Sequence, residues 1–197
     1  LMWWGSLSGP VAPPGVYTVS LAVDGDTVAT TFEVLLDPRT EGTAEDRRAQ
    51  FEFLKSVRDK VDETHDAIRH MRAARGQMSM LTGRLDEDEH AAVIDMSKRL
   101  DSTMTAIEEV LYQTKLKSNQ DMLNFPIKLN NKLAHVGSLA GMGIYRPTAQ
   151  MYGVRDALTA EIDVELARWY ALRDAELPAL NAAIRDHQID LIAVPED

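Results

Sequence analysis

Asp86, Glu87, Asp88 and Glu89 run directly into His90, a compact set of potential metal ligands. Successive carboxylates offer the oxygen donors that a hard cation such as calcium takes, yet the run lacks the alternation and the glycine of an EF-hand loop. The same acids are favoured at a helix start, where they face the positive end of the helix dipole. Calcium is the one cofactor these residues suggest, and helix capping is the competing explanation. His65 and His70 lie five residues apart, about 500° around a helix axis, which leaves them on different faces. They are not the i, i+4 pair that grips a metal. His65 beside Asp62 or Asp66 has the composition of an acid–base couple, and equally that of an exposed ion pair. Ser138 sits in HVGSLAG, but a nucleophile elbow needs glycine two positions to either side and a strand before it. Val136 and Ala140 occupy those positions, and the preceding segment reads as helix.

Asn130, Asn131 and Lys132, within KLNNKLAHV, form the other conspicuous polar group. Adjacent asparagines are poor helix formers, so their amides are expected to satisfy nearby backbone groups, first those of the loop over residues 141–147. Contact with a ligand beside Phe125 and Tyr145 is the alternative. Trp169 falls on an apolar helical stripe and is expected in the core, whereas Trp3 and Trp4 precede a Pro/Gly loop and would cover the hairpin's open face, dock on another copy or contact a domain beyond these residues. The sequence assigns no catalytic residue, and no metal-binding residue beyond the acidic run.

The elements that must position these residues begin with a β-hairpin over residues 16–36. Tyr17, Val19, Leu21 and Val23 alternate onto one face, Asp24, Gly25 and Asp26 supply the turn, and Phe32, Val34 and Leu36 return. No third strand follows. An isolated two-stranded ribbon is marginal in water, so this one must lean on helices, on a second copy or on polypeptide beyond these residues. Thr43 followed by Ala44, Glu45 and Asp46 then reads as a helix N-cap with acids in the first turn.

A helix over about 44–82 carries Phe51, Leu54, Val57, Val61, Thr64, Ile68, Met71, Met78 and Leu81 on one stripe. After a reversal at Gly83, a second helix near 87–117 carries Val93, Met96, Leu100, Met104, Ile107 and Leu111. A shorter segment follows, with Pro126 in its first turn and Ile127, Leu129, Leu133 and Val136 as anchors. The last long helix starts at about Thr148, with Met151, Val154, Leu158, Ile162, Leu166, Trp169 and Leu172 on its stripe. Pro178 is expected to kink or split it, and Leu177, Leu180 and Ile184 continue the apolar face. The expected fold is mainly α, a three- or four-helix antiparallel bundle with an N-terminal hairpin appendage, divided into residues 1–42 and 43–197.

With 197 residues, 45% of them hydrophobic, the chain can bury a substantial core. A formal charge of −10 argues against nucleic acid, whose phosphates need clustered Lys and Arg. The absence of cysteine removes disulfides, thiolate nucleophiles and Cys-based zinc sites. No uncharged apolar run reaches the length of a membrane span, and LMWWG lacks the basic leader of a signal peptide.

PPGVYTVSLAVDGDTVATTFEVLLDPR resembles the last hairpin of the immunoglobulin-like sandwich in large sortilin-like, BNR-repeat proteins of the glycosyl-hydrolase type. NFPIKLNNKLAHV, with the helices around it, resembles the helical region that closes the same proteins. The resemblance covers almost the whole chain. It implies a non-catalytic C-terminal structural or interaction module of a larger exported protein, periplasmic or extracellular, whose signal would lie upstream. The partner would then be the preceding propeller and sandwich, or another copy meeting the hairpin. The alternative expectation is a small hydrolase acting on an ester, lactone or glycosidic bond, aided by calcium. Glycosidic hydrolysis would need two carboxylates about 5 to 10 Å apart across a cleft.

Overall fold

Thr43 and Asp46 start the longest helix by capping each other. The Thr43 hydroxyl accepts from the Asp46 backbone N–H at 3.1 Å, and the Asp46 carboxylate accepts from the Thr43 N–H at 3.2 Å. This reciprocal arrangement satisfies two backbone donors that a helix start leaves open. In this computed structural model, which describes residues 9–118 and 120–190, the helix so begun is α1, Ala44–Thr82. It is followed by α2 (Ala91–Leu111), a single 3-10 turn (Asp121–Leu123), α3 (Leu129–Ala140), α4 (Ala149–Ala171), a π-helical segment (Leu172–Glu176) and α5 (Leu177–Asp186). Two antiparallel strands, β1 (Gly15–Val23) and β2 (Asp26–Val34), precede them. The fold is a helical bundle with an N-terminal hairpin. No described helix is long and apolar enough to cross a membrane.

The described chain divides into two compact units, residues 9–61 with 132–158 and residues 62–131 with 159–190. In the second unit, α2 runs antiparallel to α1, as the contacts of Arg75 with Asp101 and of Arg72 with Glu108 show. Its core is formed by Ile68, Met71, Val93, Leu100, Met104, Ile107, Ile162, Leu166 and Trp169, among others. Glu108 is 3% exposed within it. Its carboxylate accepts from Arg72 Nε at 2.7 Å and from Arg75 Nη1 at 2.9 Å, and Arg75 also reaches Asp101 at 2.7 Å. The Arg72 guanidinium lies over the Tyr112 ring, 5.1 Å from its centroid.

In the first unit, Phe53 is buried and meets Tyr152 edge-on at 5.0 Å, with the Arg155 guanidinium over both rings. Phe53, rather than the expected Phe51, is the fully buried aromatic of α1. Helix α3 approaches α1 closely because position 137 has no side chain. A Cβ there would stand 3.0 Å from Val57 Cγ1. Gln50 is buried, and its amide donates to the Ala140 carbonyl at 2.7 Å and to the Gly143 carbonyl at 3.1 Å. One side chain thus caps the end of α3 and holds the loop after it.

The ribbon belongs to the same unit. Asp24 and Gly25 form a two-residue turn with φ of 51° and 94°, the paired positive values of a hairpin whose twist matches its strands. The register places Tyr17 opposite Phe32, Leu21 opposite Val28 and Val23 opposite Asp26. Tyr17 and Phe32 stack with ring centroids 5.9 Å apart, and the Tyr17 hydroxyl donates to the Pro13 carbonyl.

Three boundaries differ from expectation. Helix α2 is shorter at both ends. Pro126 lies ahead of α3 rather than inside it, where its carbonyl accepts from Gln113 Nε2 at 2.8 Å. The irregularity expected at Pro178 falls one turn earlier. Pro178 sits in the first turn of α5, where a missing N–H is tolerated, and the chain adjusts through the π segment, in which the Leu177 N–H reaches the Leu172 carbonyl. Val154, expected on the buried stripe, is 49% exposed.

Removing one partner of a buried ion cluster leaves the others uncompensated. Glu108→Ala should therefore lower unfolding free energy by about 3 kcal/mol in urea titrations, a larger loss than at the exposed Arg39–Asp37 pair. Gly137→Ala should cost about 1 kcal/mol or more by the same measurement, through overpacking against Val57. The Thr43 hydroxyl and the Arg146 guanidinium hold Asp46 below its usual 3.8, at about 2, with the Thr43 hydrogen bond the larger cause. A depressed carboxyl contributes stability above its unfolded pKa and loses it as pH falls through the folded value. Between pH 4 and pH 2, thermal melts of Asp46→Asn should accordingly fall less steeply than those of the parent chain.

Candidate functional site

The acidic run is absorbed by local structure. One carboxylate oxygen of Asp86 accepts from the Asp88 N–H at 2.9 Å and from the Glu89 N–H at 3.1 Å, organising the turn that leads into α2. The His90 ring meets the His187 ring edge-on at 6.2 Å. Among the described residues, no three His, Cys, Asp or Glu side chains gather closely enough to hold a metal.

The two histidines of α1 separate as their spacing requires. His65 is half-buried, and its Nε2 lies 3.0 Å from Asn130 Nδ2, a contact that suits an amide donor and an unprotonated ring nitrogen. Its ring meets Tyr112 edge-on at 6.4 Å. Burial pushes the imidazole below its usual range, opposed by the nearby Asp62 charge. His70 is exposed and lies in a groove described below. Asn130 and Asn131 are both buried, Asn130 spent on His65, while the loop over 141–147 is held by Gln50. Sequence reasoning does not single out Gln50, because its partners lie about ninety positions away.

Ser138 faces solvent, and its hydroxyl donates to the Ala134 carbonyl one turn back. The glycine beside it serves helix packing. Tyr145 is exposed, Phe125 lies under the Lys115 ammonium, and neither lines the groove. Trp3 and Trp4 lie outside the described residues.

Two surfaces remain with unsatisfied character. The first is one face of the ribbon, where the register gathers Tyr17, Val19, Leu21, Val23, Val28 and Phe32. Leu21 is 66% exposed, Val28 72% and Phe32 52%. From residue 15 to 34 no side chain is buried. The second is a groove of about 680 Å³ in the unit containing α2, walled by α1 from His70 to Leu81 with Arg84 in the turn after it, and by the α4, π and α5 segments from Trp169 to Ile184. Ala74, Met78, Leu81, Leu177 and Leu180 give it an apolar lining, and Trp169, only 2% exposed, contributes to it from the core. Among the described residues, the charged or titratable ones along it are His70, Arg84 and Arg173, with no carboxylate.

No family model, curated protein or solved structure matches this chain.

A histidine kept neutral by burial contributes stability above its unfolded pKa and loses it as pH falls through the lowered value. Melting temperature should drop below about pH 6.5, and His65→Gln should flatten that dependence. Because the Asp86 carboxylate already serves backbone donors, melting curves in millimolar calcium and in EDTA should superimpose.

Proposed function

We propose that this chain is a structural and interaction module, the C-terminal part of a larger exported BNR-repeat protein, whose ribbon packs against β structure of a preceding sandwich. The observation that carries the reading is the open ribbon face. A two-stranded ribbon is marginally stable alone, and its apolar side chains on one face are arranged as the inner layer of a sandwich would be. Exposed apolar area of this kind marks a surface that another polypeptide covers. The helices of the same unit supply the packed body that carries the ribbon. The sequence resemblance of both segments to that class of protein supports the same assignment.

Hydrogen exchange read by mass spectrometry tests it. Amides of residues 15–34 should exchange far faster than those of α1 in the 197-residue chain, and should become protected in a longer chain that includes the upstream polypeptide. Equal protection of ribbon and helices in the monomeric 197-residue chain would overturn the reading. A doubled mass in light scattering, reversed by Phe32→Lys, would instead assign the face to a second copy.

A further inference from the structure

The ribbon leaves the groove beside α1 unexplained, and its chemistry differs from the rest of the molecule. The chain carries 31 acidic against 21 basic residues, yet Arg84, Arg173 and His70 line this groove with no carboxylate among the described residues. The two arginines are not equivalent. Arg173 is held by Asp174 through Nε at 2.6 Å and Nη2 at 2.9 Å, and is stacked 4.8 Å over Tyr170. Arg84 donates to the backbone carbonyl of Asp190, a neutral acceptor, and is in no ion pair among the described residues. Along α1, residues 70–82 span about 18 Å, and Arg84 lies in the turn just beyond the helix end.

That combination selects the occupant. A volume of about 680 Å³ lies within the range of small-molecule sites. An apolar groove lined by arginine side chains, with no carboxylate among the described lining residues, fits a hydrocarbon chain that carries an anion. Met78 and Met80 supply flexible, polarizable surface suited to such a chain. The π segment, a feature often found at functional sites, forms part of the wall.

We propose that this groove binds a free long-chain fatty acid, its carboxylate on Arg84 and its chain lying past Leu81, Met78 and Leu180 towards Trp169. The proposal is independent of the role assigned to the ribbon.

Titration of the purified 197-residue chain with cis-parinaric acid, below its micelle concentration, tests it. Fluorescence should rise saturably with one site per chain, and palmitate should displace the probe while hexadecanol, of equal chain length but uncharged, should compete at least tenfold more weakly. Arg84→Gln should weaken binding about tenfold with unchanged circular dichroism, and Arg84→Lys should restore most of it. Phe32→Lys, on the ribbon, should bind as the parent does. Absence of saturable binding, equal competition by hexadecanol, an unaffected Arg84→Gln variant, or loss of binding in Phe32→Lys would each overturn the proposal. Binding seen only in a chain ending at Asp190 would assign the groove to residues 191–197 and overturn it as well.

Discussion

The buried carboxylate of Glu108 is the constraint on which much of the helical packing depends. A charge taken out of water must be met by opposite charge and hydrogen bonds of good geometry, and Arg72 and Arg75 meet it from α1. Those contacts, with Arg75 reaching Asp101 as well, mark the face of α1 that meets α2. With Arg72 turned toward α2, Ala74, Gln77 and Leu81 lie about 140 to 180° away around the axis. They therefore wall the groove on the far side. A single buried acid thus orients both the packed and the open faces of the helix.

Much of the architecture is legible in the sequence because it follows from periodicity. The stripes through Val57, Val61, Thr64, Ile68 and Met71, and through Leu100, Met104, Ile107 and Leu111, are buried as their spacing requires. The hairpin, its turn and the acidic helix start are equally readable, since each rests on local chemistry within a few residues. At 100° per residue Phe53 lies about 40° from the centre of the stripe through Val57, Val61, Thr64, Ile68 and Met71 and Phe51 about 120° from it, so the burial of Phe53 against Tyr152 and Arg155 follows the same period. Val154 departs from its expected burial because where the arc of α4 ends depends on which neighbours flank it.

The polar residues show the opposite limit. Asp86, Ser138 and Asn130 stand out in the sequence as candidate chemistry, and each is satisfied by turn, helix or histidine. Gln50, which does hold two segments together, looks in the sequence like any helix glutamine. The groove is similarly hidden: Arg84 and Arg173 are nearly ninety residues apart, and nothing in either neighbourhood announces the other. Local reading finds where polar groups are, while long-range packing decides which of them are left available.

The two-residue turn at Asp24 and Gly25 has a consequence for the ribbon's wetting. Side chains alternate across a strand, so the pairing it enforces sorts the hairpin into an oily side and a hydroxyl side, the latter bearing Thr18, Ser20, Thr27 and Thr31. Lamination by a neighbour is accordingly one-sided, with Thr18, Thr27 and Thr31 left to the solvent while Thr30 lies on the oily side opposite Val19. Lengthening one strand's run into the turn by a lone residue would slide the opposing strand by one step and mix the two sides, so the length of this loop decides which flank of the ribbon repels water.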